Sequence, residues 1–204
     1  MSFTFRAHRR RSNRDFGFSL IESITVIGIM TIILVMINQI FTVDYDYTIK
    51  ALARIDNDNG AILAMRRIGE LTRGATAVLS SKTINGTLYT TSPTTLVLQM
   101  PSLDSSGNVI SGCSDYLAIY RDVTVTTQIW TDIDINSVTC AGGTSVRVDG
   151  KKLLTGNNAA LTFSYNNWQP YNATRISVFL VNQKTVRTTT LTTKTWTSIF
   201  LRNH

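Results

Sequence analysis

Glu22 is the one charged side chain between Phe18 and Phe41, a run of about 24 residues dominated by Ile, Val, Leu, Met and Phe. Placing a carboxylate in hydrocarbon costs on the order of 2.5–3.5 kcal/mol on insertion scales, so its presence there points to a function that needs it. The simpler account is an acid at the membrane surface that reaches water. Other chemistries find less support. The only histidines are His8 and His204, at the two ends of the chain, where acid–base work is poorly placed. No Gly-x-Ser-x-Gly elbow, phosphate loop or metal-ligand cluster occurs. Asp132 and Asp134 alternate onto one strand face and read as solvated charges. Trp130, Trp168 and Trp196 offer a ligand surface, against the commoner fate of core or rim packing. The chain is therefore read as a non-enzyme with no cofactor and no metal site.

Two further motifs fail on spacing. Asp56-Asn57-Asp58-Asn59-Gly60 opens like a calcium loop, but Ala61 stands where an EF-hand needs Gly and Arg67 where it needs a bidentate Glu. A polar helix face or kink is preferred there. Asp104-Ser105-Ser106-Gly107-Asn108 reads as a hairpin turn. Asn85-Gly86-Thr87 and Asn172-Ala173-Thr174 match glycosylation sequons, a pattern short enough to arise by chance.

The residues before the apolar run set its orientation. Arg6, Arg9, Arg10, Arg11 and Arg14 precede Phe18. At about 1.5 Å per residue, a helix over 18–41 reaches roughly 36 Å, enough to cross a hydrocarbon core of about 30 Å. The arginines keep the N-terminus cytoplasmic and send the rest of the chain outward. In an ordinary signal peptide the small-residue cleavage site follows the apolar segment. Here Gly17 precedes it, so cleavage at Gly17 leaves the hydrophobic helix on the mature protein. An uncleaved signal-anchor is the alternative.

The sequence Gly17-Phe18-Ser19-Leu20-Ile21-Glu22 behind a short basic leader resembles the type III signal of type IV prepilins and type II secretion pseudopilins. Ser19 stands where Thr is commoner, which keeps the hydroxyl. The resemblance implies cleavage between Gly17 and Phe18 by a prepilin peptidase, N-methylation of Phe18, and assembly with other pilin or pseudopilin subunits through the N-terminal helix. It further implies that Glu22 attracts the N-terminal ammonium of a neighbouring subunit. An α-amino group ordinarily titrates near pH 8, so it is mostly charged at neutral pH. The expected product is a structural subunit of a type IV pilus or type II secretion pseudopilus, of the minor kind. It would be stored as a single-pass protein of the cytoplasmic membrane with its C-terminal domain outside. The competing class is a signal-anchored extracytoplasmic binding domain that never polymerises.

Charge follows from this division. The whole chain has 20 basic and 13 acidic residues, net +7. Removing the leader, with its five Arg and Asp15, leaves 15 basic against 12 acidic, net +3. The high isoelectric point is thus largely a topology signal. Scattered surface charge is the preferred account of Arg66, Arg67, Arg73, Lys151, Lys152, Lys184 and Arg187, with DNA binding kept as the alternative. Cys113 and Cys140 both fall on the expected outer side, where an oxidising compartment favours one disulfide over free thiols or an intermolecular bridge. A loop of about 28 residues closed in this way is worth roughly 3–3.5 kcal/mol in the chain-entropy account.

The fold expected is α+β: a long N-terminal helix, membrane-spanning in its first half, packed by its outer half on an antiparallel β-sheet domain in the pilin-like manner. The divisions are a leader (1–17), the transmembrane and assembly half of the helix (18–41), its outer half and connection (42–92) and a β-rich domain (93–204). Ile49, Leu52 and Ala53, then Ala64, Ile68, Leu71, Ala75 and Val78 recur at three- or four-residue steps, with Leu63 on the same stripe and Asp56 to Gly60 interrupting it, carrying the expected helix to about Leu79. No proline occurs before Pro93. Beyond it, alternating Leu96/Leu98/Met100, Leu117/Ile119, Val123/Val125, Val146/Val148, Leu161/Phe163/Tyr165, Ile176/Val178/Leu180 and Leu191–Leu201 read as strands. The threonines of 188–193 are assigned to an edge strand or exposed hairpin.

Overall fold

A computed structural model of the protein describes residues 19–135 and 143–201. The chain is α+β, and among the described residues helix α1 (Leu20–Arg73) is followed by ten strands. It divides between Thr48 and Ile49 into two units, each taken by itself below.

Within the second unit, the last turns of α1 are amphipathic. Ala61, Ala64, Met65 and Ile68 are buried, while Ile62 and Leu63 remain exposed. The helix stops at Arg73, earlier than the expected Leu79, because Gly74 follows and the chain then pairs with a sheet. Thr76 donates to the Gln99 carbonyl at 2.8 Å and Leu79 to that of Val97 at 2.9 Å. Between them lies β1 (Ala77–Val78). Ala75 and Val78 are buried as the periodicity requires, but Ala75 from the turn that ends the helix, its N–H on the Thr72 carbonyl at 3.1 Å, and Val78 from strand β1: tertiary pairing overrides helical spacing there.

A hairpin follows, β2 (Ser81–Ile84) and β3 (Thr87–Thr90), so β structure begins before Pro93. Its two-residue turn is Asn85-Gly86, with φ of 46° and 78°. Both values are positive, the requirement of a turn that matches strand twist, and Asn-Gly is the dipeptide best able to meet it. The remaining strands are β4 (Thr95–Leu103), β5 (Val109–Arg121), β6 (Ile129–Asp134), β7 (Gly150–Thr155), β8 (Asn158–Tyr165), β9 (Arg175–Val186) and β10 (Thr189–Phe200). They form a five-stranded sheet ordered β1-β4-β5-β6-β7 and a three-stranded sheet ordered β10-β9-β8, with every pairing antiparallel.

One core joins these layers. Ile68 and Ala64 of the helix meet Leu96, Leu98, Leu117 and Ile119 of the larger sheet and Leu161, Phe163, Ile176, Val178, Leu180 and Ile199 of the smaller one. The other face of the larger sheet is covered by the hairpin, where Ile84 and Tyr89 pack on Val97 and Ala118. The segment that opens like a calcium loop is a polar clip between helix and sheet. Asn57 is buried and donates through Nδ2 to Thr193 Oγ1 at 2.9 Å, and Thr193 in turn donates to Asp58. Lys184 pairs with Asp56.

Two expected strands are loops. Val123 and Val125 lie in a turn because the Asp122 carboxylate captures the N–H groups of Thr124 and Val125 at 2.7 and 2.9 Å. Val146 and Val148 lie in the segment entering β7, pinned by a bond from the Val146 N–H to the Leu103 carbonyl at 2.8 Å.

Candidate functional site

Residues 20–48 of the first unit form one uninterrupted stretch of helix, apolar and long enough to cross a membrane. Ser19 opens it. Its carbonyl accepts from the Ser23 N–H at 3.1 Å and its hydroxyl oxygen from the Glu22 N–H at 3.4 Å, the position and side chain of an N-cap. Glu22 therefore sits in the first turn, where the helix dipole favours negative charge by about 0.3–1 kcal/mol. That gain is smaller than the roughly 2.5–3.5 kcal/mol cost of a carboxylate in hydrocarbon. In hydrocarbon the dipole alone would not offset that cost, and among the described residues no side chain forms an ion pair with Glu22.

The hydroxyls of the segment carry no such debt. Thr25, Thr31 and Thr42 donate to the carbonyls of Glu22, Ile27 and Gln39 at 2.8, 2.8 and 2.9 Å. Back-bonding of this kind satisfies a hydroxyl inside an apolar medium. Glu22 is thus the one charge in the apolar run with no ion-pair partner among the described residues.

Every residue from Ser19 to Tyr45 is exposed. The large apolar side chains along it range from 42% exposed at Ile37 to 81% at Leu20. A helix that is hydrophobic all round belongs in a membrane or in the core of a bundle. Burying one such side chain is worth about 1.5–3 kcal/mol, so the segment as a whole strongly favours lipid or other helices over water. The apolar run ends at Phe41, Tyr45 and Tyr47 beside Asp44 and Asp46, an arrangement suited to the headgroup level. That aromatic boundary was readable in the sequence as rings interleaved with the first charges after Glu22.

Gly17 and Phe18, the expected cleavage and methylation positions, lie outside the described residues. Cys113 is a buried residue of β5, while Cys140 lies outside the described residues, so the expected pairing falls there too. Among the described residues no group of three His, Cys, Asp or Glu side chains is placed to hold a metal. Asp104 accepts from the N–H groups of Ser106 and Asn108, both at 2.8 Å, as the hairpin-turn reading requires.

Asp132 is a correction. It is fully buried rather than solvated, accepting from Tyr89 Oη at 2.8 Å and Asn85 Nδ2 at 2.8 Å. Asn85 thus uses its amide to anchor the hairpin. A second buried carboxylate has no signal in the sequence. Asp115 pairs with Arg147 Nη1 at 2.6 Å and accepts from Ser102 Oγ at 2.7 Å and Ser145 Oγ at 2.6 Å. This network ties the segment before β7 to β4 and β5. Arg147 and Ser145 are 30 or more residues away from Asp115 in sequence, and no local pattern announces them. Trp130 packs partly buried with its indole N–H on Gln128, whereas Trp168 and Trp196 project into solvent.

Comparison of the chain with protein-family models, with curated proteins and with solved structures finds no match.

Proposed function

We propose that this chain is a structural subunit of a type IV pilus or type II secretion pseudopilus, of the minor kind, assembled through its N-terminal helix. The observation that carries the reading is an apolar helix exposed on all sides with one carboxylate in its first turn. In the membrane, lipid covers the apolar side chains and the basic leader holds the N-terminus on the cytoplasmic side. Prepilin peptidase cuts between Gly17 and Phe18, and the new Phe18 amine is methylated. The Glu22 carboxylate of one subunit then meets the N-terminal ammonium of the next. Paired, the two charges offset each other's desolvation; unpaired, each remains a penalty. Apolar contacts between the segments from Ile24 to Ile37 supply the remaining cohesion, and the ion pair sets the register. The Cys113–Cys140 disulfide belongs to the same proposal, as a consequence of export. Reduction should then raise the intact mass by two hydrogens.

Glu22→Ala tests the assembly role. The variant is expected to accumulate in the membrane at the normal level and to enter filaments about tenfold less, the effect of losing about 1.4 kcal/mol at each addition. Normal incorporation would contradict the role given to Glu22. The competing account is a signal-anchored binding domain that does not polymerise, and absence of any filament carrying the wild-type chain would favour it.

A further inference from the structure

Asp149 is the last acidic residue of the chain; the 55 residues after it hold seven Lys or Arg and no Asp or Glu. Most of that segment is the β8-β9-β10 sheet. One face of the sheet is in the core, and the other faces outward with exposed aromatic rings. Trp196 is 78% exposed, Phe200 66% and Phe179 38%. The register places them together: Phe179 lies opposite Trp196 on one side and Thr162 on the other, and Phe200 lies opposite Arg175. Lys194 shares the outward face, two residues before Trp196. Same-face neighbours along a strand are about 6.8 Å apart, so Lys194, Trp196 and Phe200 form a row roughly 20 Å long. Trp168, 88% exposed, sits on the β8–β9 loop.

The cations of this face are uncommitted. Lys184 is held by Asp56 on the other side, but no ion pair among the described residues engages Arg175 or Lys194. Exposed rings and unpaired cations, with no carboxylate among them, restrict the partner. A neutral sugar stacks on the rings and leaves the cations unused. A simple polyanion uses the cations and leaves the rings unused. In a duplex the faces of the bases are covered by stacking. A single-stranded nucleic acid uses both features: its bases present π-faces and its phosphates meet Arg175 and Lys194.

We propose that the outward face of the β8-β9-β10 sheet binds single-stranded nucleic acid without sequence preference. Rings carry the stacking and the two cations neutralise phosphates. The proposal does not depend on polymerisation and holds equally for an anchored domain.

The test uses the full chain in non-ionic detergent and a fluorescein-labelled oligothymidylate about 16 nucleotides long, read by fluorescence anisotropy. Saturable, salt-sensitive binding is expected. Trp196→Ala should weaken it about tenfold and Trp196→Phe should restore most of the loss, since a stacked base is worth about 1–3 kcal/mol. Lys194→Ala should reduce the slope of log affinity against log salt by about 0.7, the contribution of one phosphate contact on a single strand. Trp196 is solvent-facing, so these variants leave the core intact. Absence of binding at low salt would overturn the proposal. So would unchanged affinity in Trp196→Ala, which would mark plain polyanion attraction. Trp196-dependent binding of a neutral chitin hexasaccharide in place of the oligonucleotide would overturn it in favour of a glycan platform. The N-terminal mass of the same preparation reports separately on processing, so failure here and failure of the subunit reading are distinguishable.

Discussion

Asp115 and Asp132 are both fully buried carboxylates, yet they are stabilised in different ways. Asp115 has a guanidinium at 2.6 Å and two serine hydroxyls, so its charge is matched at close range. Asp132 relies on Tyr89 and Asn85, because Lys151 approaches only to 3.9 Å and is half exposed. Burial pushes the Tyr89 hydroxyl well above the ordinary tyrosine value, which keeps it a proton donor to Asp132 at any physiological pH. Replacing one partner of a buried pair strands the other. Asp115→Ala is therefore expected to cost about 3–5 kcal/mol, measured by urea unfolding of the full chain in detergent. Neither role is legible in the sequence. An acid on an alternating strand reads as solvated unless its partners, here tens of residues away, are known.

Two half-buried aspartates give a pH signature. The N–H of Asn108 and those of Ser106 and Gly107 lower the Asp104 carboxyl, and those of Val125 and Thr124 lower Asp122. For a depressed carboxyl, the added stability is present above the unfolded-state value of about 3.9 and is lost as pH falls through the lower folded value. Carboxyl NMR titration should place both groups below the ordinary aspartate value, with the two turns loosening only in strong acid. A normal titration of either would contradict the capping geometry.

Among elements, the outer half of α1 shows how far periodicity reaches. The buried Ala64 and Ile68 lie on the stripe the spacing identified, whereas Leu52 and Leu63 of the same stripe are exposed. The strands at Leu161–Tyr165 and Ile176–Leu180 alternate as expected, while those at Leu96–Met100 and Leu117–Ile119 are buried on both faces because the hairpin covers Val97 and Ala118. Ile68 is fully buried between both sheets, so Ile68→Ala should cost about 2–5 kcal/mol, read in the same unfolding experiment. A cost under about 1 kcal/mol would mean that helix and sheets do not share a core. The β2–β3 hairpin was legible but misread. Asn85-Gly86 matched a sequon, whereas its physical signal was the positive φ of a tight turn. The loops at 122–126 and 143–149 were not legible, because side-chain capture by Asp122 and Asp115 outweighs the strand preference of their valines.

At the scale of the whole molecule, the chain joins two surfaces that water does not favour. Residues 19–45 expose apolar side chains on every side, and the outward face of β8-β9-β10 exposes aromatic rings beside unpaired cations. The first was fully legible, since an unbroken apolar run with one acid needs no tertiary information. The second was not, because it depends on strand register: Phe179 and Trp196 are 17 positions apart and become neighbours only through pairing. In the proposed reading the helix assembles and the outer domain faces the medium, where its aromatic face is free to engage a ligand.

The central claim is that prepilin processing removes the leader and leaves the helix to assemble, in place of an uncleaved anchor. Intact-mass and N-terminal peptide mass spectrometry, on protein recovered from cells containing an active prepilin peptidase, addresses it directly. The account predicts a chain beginning at Phe18 with a methylated amine. A chain still beginning at Met1 or Ser2, while a control substrate is cleaved in the same cells, would contradict it and leave a plain membrane-anchored domain.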